Sequence, residues 1–518
     1  MSSSDILKFC LQKGVLVDKD ILNLFNETGD LDSIKLIIEK IKSQTQTKII
    51  TKNTFETNKE KFNDFFLNLP EENKKSFESL KIKLGLNIEI SKEFSIEKKS
   101  STNIFTGSNV KIISTSPDVC KSFEVKDFVN YFRNRFNEMR NVLQEHSELD
   151  KLVSIGKISG SNQKLSIIGI VYDKRITKNK NIILDIEDLT GRMKVLINQN
   201  KPELYSLAEE ITLDSIIGFK GSGNKDILFV NEVIFLDSVL PERKKSFVEE
   251  YALFIGDLHY GSKRFLKDNF LKFIDYLNGN VPNTPEVSKI KYLFIAGDVV
   301  TGVGNYPNQE PDLSVVDLEE QFIGITELLK KIRKDIKIII SPGNHDCVRL
   351  MEPQPIFDEK FAWPLYELEN VIVTKNPSTV NIGATENFSG FNVLNYHGFS
   401  YFYYTKNLAH LIKQKAANKP ELIMSYLLKN RHLAPTHTSV QYAPTEKDYH
   451  FIKEIPDIFV SGHVHKSAVS YYNNILIVST SCWEAMTPYM EKMGSIPDFC
   501  KVPMVNLKTR AVKILDFE

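Results

Sequence analysis

Five short segments in the second half of the chain carry side chains that hold hard or borderline metal ions. They are Gly256-Asp257-Leu258-His259, Gly297-Asp298, Gly343-Asn344-His345-Asp346, His397-Gly398 and Gly462-His463-Val464-His465. Together they offer carboxylate oxygen, amide oxygen and imidazole nitrogen, a donor set suited to two divalent cations held close together. Asp298 has two oxygens, one for each ion, and is the candidate bridge. Asp257, His259 and His465 would complete one half of the site, and Asn344, His397 and His463 the other. No thiolate is among them, which favours Mn²⁺, with Fe²⁺, Zn²⁺ and Mg²⁺ as alternatives. Water shared by two such ions loses a proton near neutral pH and can attack a phosphorus centre. His345 is spare in this count. It is assigned to the leaving oxygen, with Asp346 holding its imidazole. The chemistry is phosphoester hydrolysis, and the pattern alone leaves nuclease, protein phosphatase and nucleotide phosphodiesterase open.

Each segment follows an apolar run that must place it. Tyr251–Ile255 precedes Asp257, Lys291–Ala296 precedes Asp298 and Ile336–Ile340 precedes Asn344. Asn392–Tyr396 precedes His397, and Asp457–Val460 precedes His463. Such β-branched and aromatic runs, bounded by Gly or Pro, are expected to be buried strands. Loops after strands converge at the C-terminal edge of an α/β sheet. The Asp-x-His and His-x-His spacings would put neighbouring ligands on one side of an extended segment. A single Gly-Asp is an ordinary turn. Here five strand-end signals use five of the ten histidines.

The whole chain sets bounds. Its 518 residues suggest two to four domains, and its net charge of zero supplies no general field toward DNA or anionic membranes. No apolar run is long enough for a membrane span and no signal peptide opens the chain. A soluble, intracellular protein (cytoplasmic, nucleoid-associated) is expected. Cys10, Cys120, Cys347, Cys482 and Cys500 form no Cys-x-x-Cys pair, against structural zinc and a disulfide framework. Cys347 beside the Asn-His-Asp segment is expected to be a small buried side chain rather than a nucleophile.

Composition divides the chain into four parts. Residues 1–45 suggest a small helical module for docking, with helices starting near Ser4, Asp18 and Asp30. Residues 46–122 are rich in Lys, Asn, Ser and Thr and suggest a flexible linker. Residues 123–240 hold an amphipathic helix, Val125–His146, then three strands, a short helix and two strands, the order of an OB-type barrel. Exposed aromatics are few there, so protein docking or strand guiding is favoured over autonomous single-strand binding. Residues 241–518 form the metal-binding α/β domain, with a helical insertion over Phe399–Ala443 and closing strands at Ile475–Ser479 and Ala511–Leu515.

The five segments together resemble the calcineurin-like metallophosphoesterase superfamily, and the ligand assignment matches its pattern position by position. Longer stretches narrow the resemblance: Gly256–Ser262, Tyr306–Glu310, Pro342–Pro355 (PGNHDCVRLMEPQP), Arg431–Pro435 (RHLAP), Pro456–Lys466 (PDIFVSGHVHK) and Lys492–Gly494. These are similar to the small subunits of archaeal family-D DNA polymerases, over roughly residues 125–518, and Phe9–Leu16 extends the similarity. The resemblance implies a two-layer β-sandwich flanked by helices behind the OB-fold barrel. It implies a 3′-to-5′ proofreading exonuclease acting on single-stranded or mismatched DNA 3′ ends. The partner would be a large catalytic subunit that adds nucleotides, and the N-terminal helices could recruit other replication proteins. Eukaryotic B subunits share the architecture but have lost ligands and act as scaffolds. This chain keeps every ligand position. Gly256 stands where Ser is common and Cys347 where a small apolar residue is common, and neither is a ligand. The alternatives are a non-catalytic scaffold and a free-standing metallophosphoesterase.

Overall fold

The computed structural model describes residues 3–19, 110–117 and 122–518, together with scattered positions between 21 and 54. Contacts divide the chain into two units, 1–103 and 104–518.

In the first unit, helix α1 (Ser3–Gln12) leads to β1 (Leu16–Val17), which pairs in parallel with β2 (Ile49–Ile50). Ile6, Cys10, Ile21, Phe25, Ile34 and Ile38 are buried. The module therefore runs past the boundary expected at residue 45. The helices expected from Asp18 and Asp30 lie partly outside the described residues, as does most of the expected linker.

The far end of that linker is a strand. β3 (Val110–Ser114) pairs antiparallel with a strand near residue 380, and Val110 is buried in the main core. Five residues flanked by polar chain carry too little periodicity to signal an edge strand whose partner lies some 270 residues away.

Helix α2 (Val125–Leu143) opens on a capping box between Glu124 and Asp127. The barrel follows as β4 (Gln163–Ile176), β5 (Ile182–Glu187), β6 (Arg192–Ile197), helix α3 (Pro202–Glu209), β7 (Ile216–Gly223) and β8 (Ile227–Ile234). These strands close in the order β4-β5-β6-β8-β7 around Ile167, Leu184, Val195, Phe219 and Leu228. The alternation of buried with half-buried positions along β5, and of buried with mostly exposed positions along β6, explains why the sequence reads as strands here.

The rest of the chain builds two facing six-stranded sheets. The first uses β9 (Tyr251–Ile255), helix α4 (Lys267–Leu277), β10 (Ile290–Ala296), helix α5 (Leu318–Leu329), β11 (Lys337–Ser341), helix α6 (Glu359–Tyr366) and β12 (Val371–Val373). β9 to β12 are parallel, as expected of strands linked by helices. The second sheet uses β13 (Ser378–Ile382), β14 (Phe391–Asn395), β15 (Ile458–Ser461), β16 (Ala468–Tyr472) and β17 (Ile475–Ser479) with β3 at its edge. Between β14 and β15 lie α7 (Tyr401–Asn407), α8 (Ala409–Lys413) and α9 (Pro420–Asn430). Finally β18 (Lys501–Asn506) and β19 (Val512–Asp516) return to the first sheet.

Phe254, Phe294, Ile339 and Val505 from one sheet pack against Val380, Val393, Val460 and Val478 from the other. Helices α4 to α6 cover the outer face of the first sheet, and α7 to α9 that of the second. The sandwich flanked by helices is thus the architecture. Arg135 on α2 ties helix and barrel to it: its Nη2 donates to the carbonyls of Pro435 (2.6 Å) and Asp214 (3.2 Å). Among the described residues no helix is long and apolar enough to cross a membrane.

Candidate dinuclear metal centre

The five segments follow β9, β10, β11, β14 and β15, whose C-terminal ends lie at one edge of the sandwich. Asp257, Asp298 and Asn344 come from the first sheet, and His397, His463 and His465 from the second. The site therefore sits on the seam between the layers.

The loops do not continue the strands. Asp257, His259, Asp298, His463 and His465 all have positive φ, between 50° and 71°. The sequence-based picture of an extended Asp-x-His segment is therefore wrong. The left-handed residues turn each loop sharply, a conformation Asp and His tolerate better than branched residues. Five such residues at one place are backbone strain concentrated where the side chains must converge.

Asp298 is central. It is 1% exposed, and its Oδ1 accepts the His345 N–H at 2.7 Å. Its Oδ2 lies 3.3 Å from His397 Nε2 and 3.8 Å from His259 Nε2. On one side, Asp257, His259 and His465 form a compact group; on the other, Asp298, His397 and His463 do. Asn344 joins the second, with Oδ1 3.0 Å from His397 Nε2. The Asp257 carboxylate receives the His463 N–H on both oxygens at 3.0 Å, and its Oδ1 is 3.4 Å from His465 Nε2. His259 Nε2 and His465 Nε2 lie 3.2 Å apart.

The electrostatics are those of ligands crowded together. Burial disfavours charge on Asp298, yet the imidazoles of His397 and His345 outweigh it and hold the carboxyl well below the usual range. Burial likewise opposes charge on His397, but Asp298 prevails and raises the imidazole to about 10. Burial, reinforced by neighbouring histidines, keeps His259 and His463 well below the ordinary value, so both favour the neutral form that ligates metal.

These residues fit a pair of divalent cations. His463 Nε2 is buried with no hydrogen-bond partner among the described residues, an unsatisfied atom that a cation would satisfy. A methyl group added to Gly343 would collide with the Asp298 carboxylate and the His397 ring, so glycine is what lets the loop approach the donors.

Two sequence-based assignments need correction. Asp346 does not hold the His345 imidazole. Its oxygens accept the Val300 N–H at 2.9 Å and the Gly343 N–H at 2.7 Å, so it clamps the loops after β10 and β11 together. Burial, with Asp298 nearby, raises its pKa to about 7. The His345 ring is oriented instead by the Thr301 carbonyl, 3.3 Å from Nδ1. Cys347 is exposed rather than buried, in a backbone conformation of positive φ just after the ligand loop.

Residues with no motif of their own also belong here. Glu484 is buried, with Ser262 Oγ donating to it at 2.5 Å. Burial raises its pKa, and the charges of His465 and His345 oppose that rise. Phe402 and Phe399 pack their rings 5.0 and 5.6 Å from that of His463. Only the Phe at the start of the helical insertion was visible beforehand as its boundary.

Residues 252–467 match the family model of calcineurin-like phosphoesterases, a domain that implies divalent metals. The DNA polymerase II small subunit of Pyrococcus furiosus is 38% identical over 403 residues, covering 76% of this chain and 64% of that protein. That of Pyrococcus horikoshii is 34% identical over 458 residues, covering 85% and 71%. That of Methanothermobacter thermautotrophicus is 33% identical over 410 residues, covering 78% and 82%. The chain thus spans a little under two thirds of the P. furiosus relative and more of the other two. It belongs to the family of DNA polymerase II small subunits, built on a calcineurin-like phosphoesterase domain.

Proposed function

We propose that this chain is the 3′-to-5′ exodeoxyribonuclease subunit of a two-subunit replicative DNA polymerase, removing mismatched nucleotides while a large partner subunit adds them. The observation that carries the reading is the complete donor set gathered around Asp298 from both sheets. A scaffold has no need of seven metal-binding side chains in one place. The relatives' name supports a polymerase partner and hence DNA as substrate.

Asp257, His259 and His465 would hold one cation, Asn344, His397 and His463 the other, and Asp298 both. Mn²⁺ suits this mixture of oxygen and imidazole. When bound, the cations supply Lewis acidity at the phosphoryl oxygens and make water acidic enough to attack. His345 does the remaining proton work. Its Nδ1–H can donate to the Thr301 carbonyl even in the imidazolium form, which leaves Nε2–H for the departing 3′ oxygen of the penultimate nucleotide. The barrel has the strand order and intervening helix of an OB fold, and we assign it to docking or strand guiding.

The test is release of mononucleotides from a mismatched 3′ end with Mn²⁺, by the full chain with and without its large subunit. His345→Ala should lower kcat about 10²- to 10⁴-fold while both cations stay bound. An unchanged rate in that variant removes His345 from the chemistry. If wild-type complex releases nothing with Mn²⁺, a non-catalytic scaffold is the better reading. Turnover of small phosphoesters but not of DNA ends would favour a free-standing phosphoesterase.

A further inference from the structure

The PGNHDCVRLMEPQP stretch extends well beyond its ligand Asn344, to Gln354. The structure shows what the later residues do. Gln354 is 2% exposed and Asn376 fully buried, and their side chains form a continuous relay. Gln354 Nε2 donates to the Gly343 carbonyl at 3.2 Å and to that of Arg349 at 3.4 Å. Gln354 Oε1 accepts from Asn376 Nδ2 at 2.6 Å. Asn376 Oδ1 accepts the His397 N–H at 2.9 Å. The two backbones also bond directly, Gln354 N–H to the Asn376 carbonyl at 2.6 Å and Asn376 N–H to the Gln354 carbonyl at 3.3 Å.

Both ends of the relay are backbone groups with one possible role. The His397 N–H can only donate and the Gly343 carbonyl can only accept. That fixes the orientation of both amides, since flipping either would set like against like. The relay starts next to Asn344 and ends on His397, the two donors whose side chains meet at 3.0 Å. It thus spans the seam between the sheets and sets the separation of the Asn344 and His397 loops.

We infer that Gln354 and Asn376 are positioning residues that hold Asn344 and His397 in register for one of the two cations, while the Asp257–His259–His465 half does not depend on them. The inference rests on the two-cation reading above. Outer-shell partners of this kind typically change metal affinity about 10- to 100-fold.

The experiment uses the full chain and Mn²⁺, with calorimetric titration for stoichiometry and electron paramagnetic resonance for coupling between the ions. Gln354→Met keeps the volume and removes the relay. Gln354→Glu keeps the acceptor for Asn376 but cannot donate to Gly343 when ionised. The expected result is that wild type binds two coupled ions. Both variants should melt near wild type, keep one tight ion, bind the second at least about tenfold more weakly, and give an uncoupled Mn²⁺ signal at one equivalent. Activity should return at high Mn²⁺. Two ions bound at wild-type affinity in either variant would overturn the inference. So would equal weakening of both ions, or unfolding of both variants, since the pair would then support the fold in general. If wild type itself binds fewer than two ions, it is the two-cation reading that fails.

Discussion

Asp298→Ala is expected to lower Mn²⁺-dependent nucleotide release by about 10³-fold or more, a loss of about 4 kcal/mol of transition-state stabilisation. Asp298 contacts both halves of the site. Its Oδ2 lies 3.3 Å from His397 Nε2 and 3.8 Å from His259 Nε2, one candidate ligand of each half, while Oδ1 accepts the His345 N–H. Alanine therefore removes the shared donor and also frees the backbone that carries His345. It leaves the His397 imidazole, raised to about 10 chiefly by Asp298 against the cost of burial, without its counter-charge. Metal content measured on the purified variant should fall together with the rate. Digestion that survives in Asp298→Ala would sink the dinuclear assignment, whatever the other ligands do.

Asp448→Ala is expected to destabilise the fold by about 3–5 kcal/mol, because it strips the acceptor from a buried cationic cluster. Asp448 lies 2.7 Å from His432 Nε2, 3.5 Å from Arg135 Nε and 3.6 Å from His450 Nδ1, all buried. His450 also reaches Glu352 at 2.9 Å. Arg135 belongs to α2, His432 to the helical insertion, His450 to the segment between that insertion and β15, and Glu352 to the loop after β11, so the cluster locks four parts of the chain. The measurement is the shift of the melting midpoint relative to wild type. A shift no larger than that of a surface substitution would show that Asp448 does not anchor the cluster.

The same cluster sets a pH dependence. Burial opposes charge on His450, but Asp448 and Glu352 outweigh it and raise its pKa to about 9. A histidine raised above its unfolded value of about 6.5 stabilises fully below that pH. The contribution, on the order of 3 kcal/mol, is lost as pH rises through about 9. Asp448, held well below its ordinary value by His432 and Arg135 against burial, stabilises above about pH 4 and loses that as pH falls further. His432, pushed down to about 3 mainly by burial, works against stability as pH drops below about 6.5, where the unfolded chain binds its proton.

The sequence by itself determined the donors and the strands that carry them. Each of the five motifs ends an apolar run, and β9, β10, β11, β14 and β15 form within about one residue of where those runs lie. Strand periodicity and donor chemistry are local properties, so local residues reveal them. The barrel was legible for the same reason. Tertiary structure alone decided the rest. It split the strands between two sheets, so that Asp298 faces His397 across a seam. It placed β3 at a sheet edge, since a short edge strand is defined by its distant partner. It turned five donors into left-handed conformations and took Asp346 from an imidazole to two backbone amides. It also made Gln354 and Asn376, unremarkable in sequence, the link between two ligand loops. Each of these depends on contacts between residues far apart in the chain, and no window of sequence contains both partners.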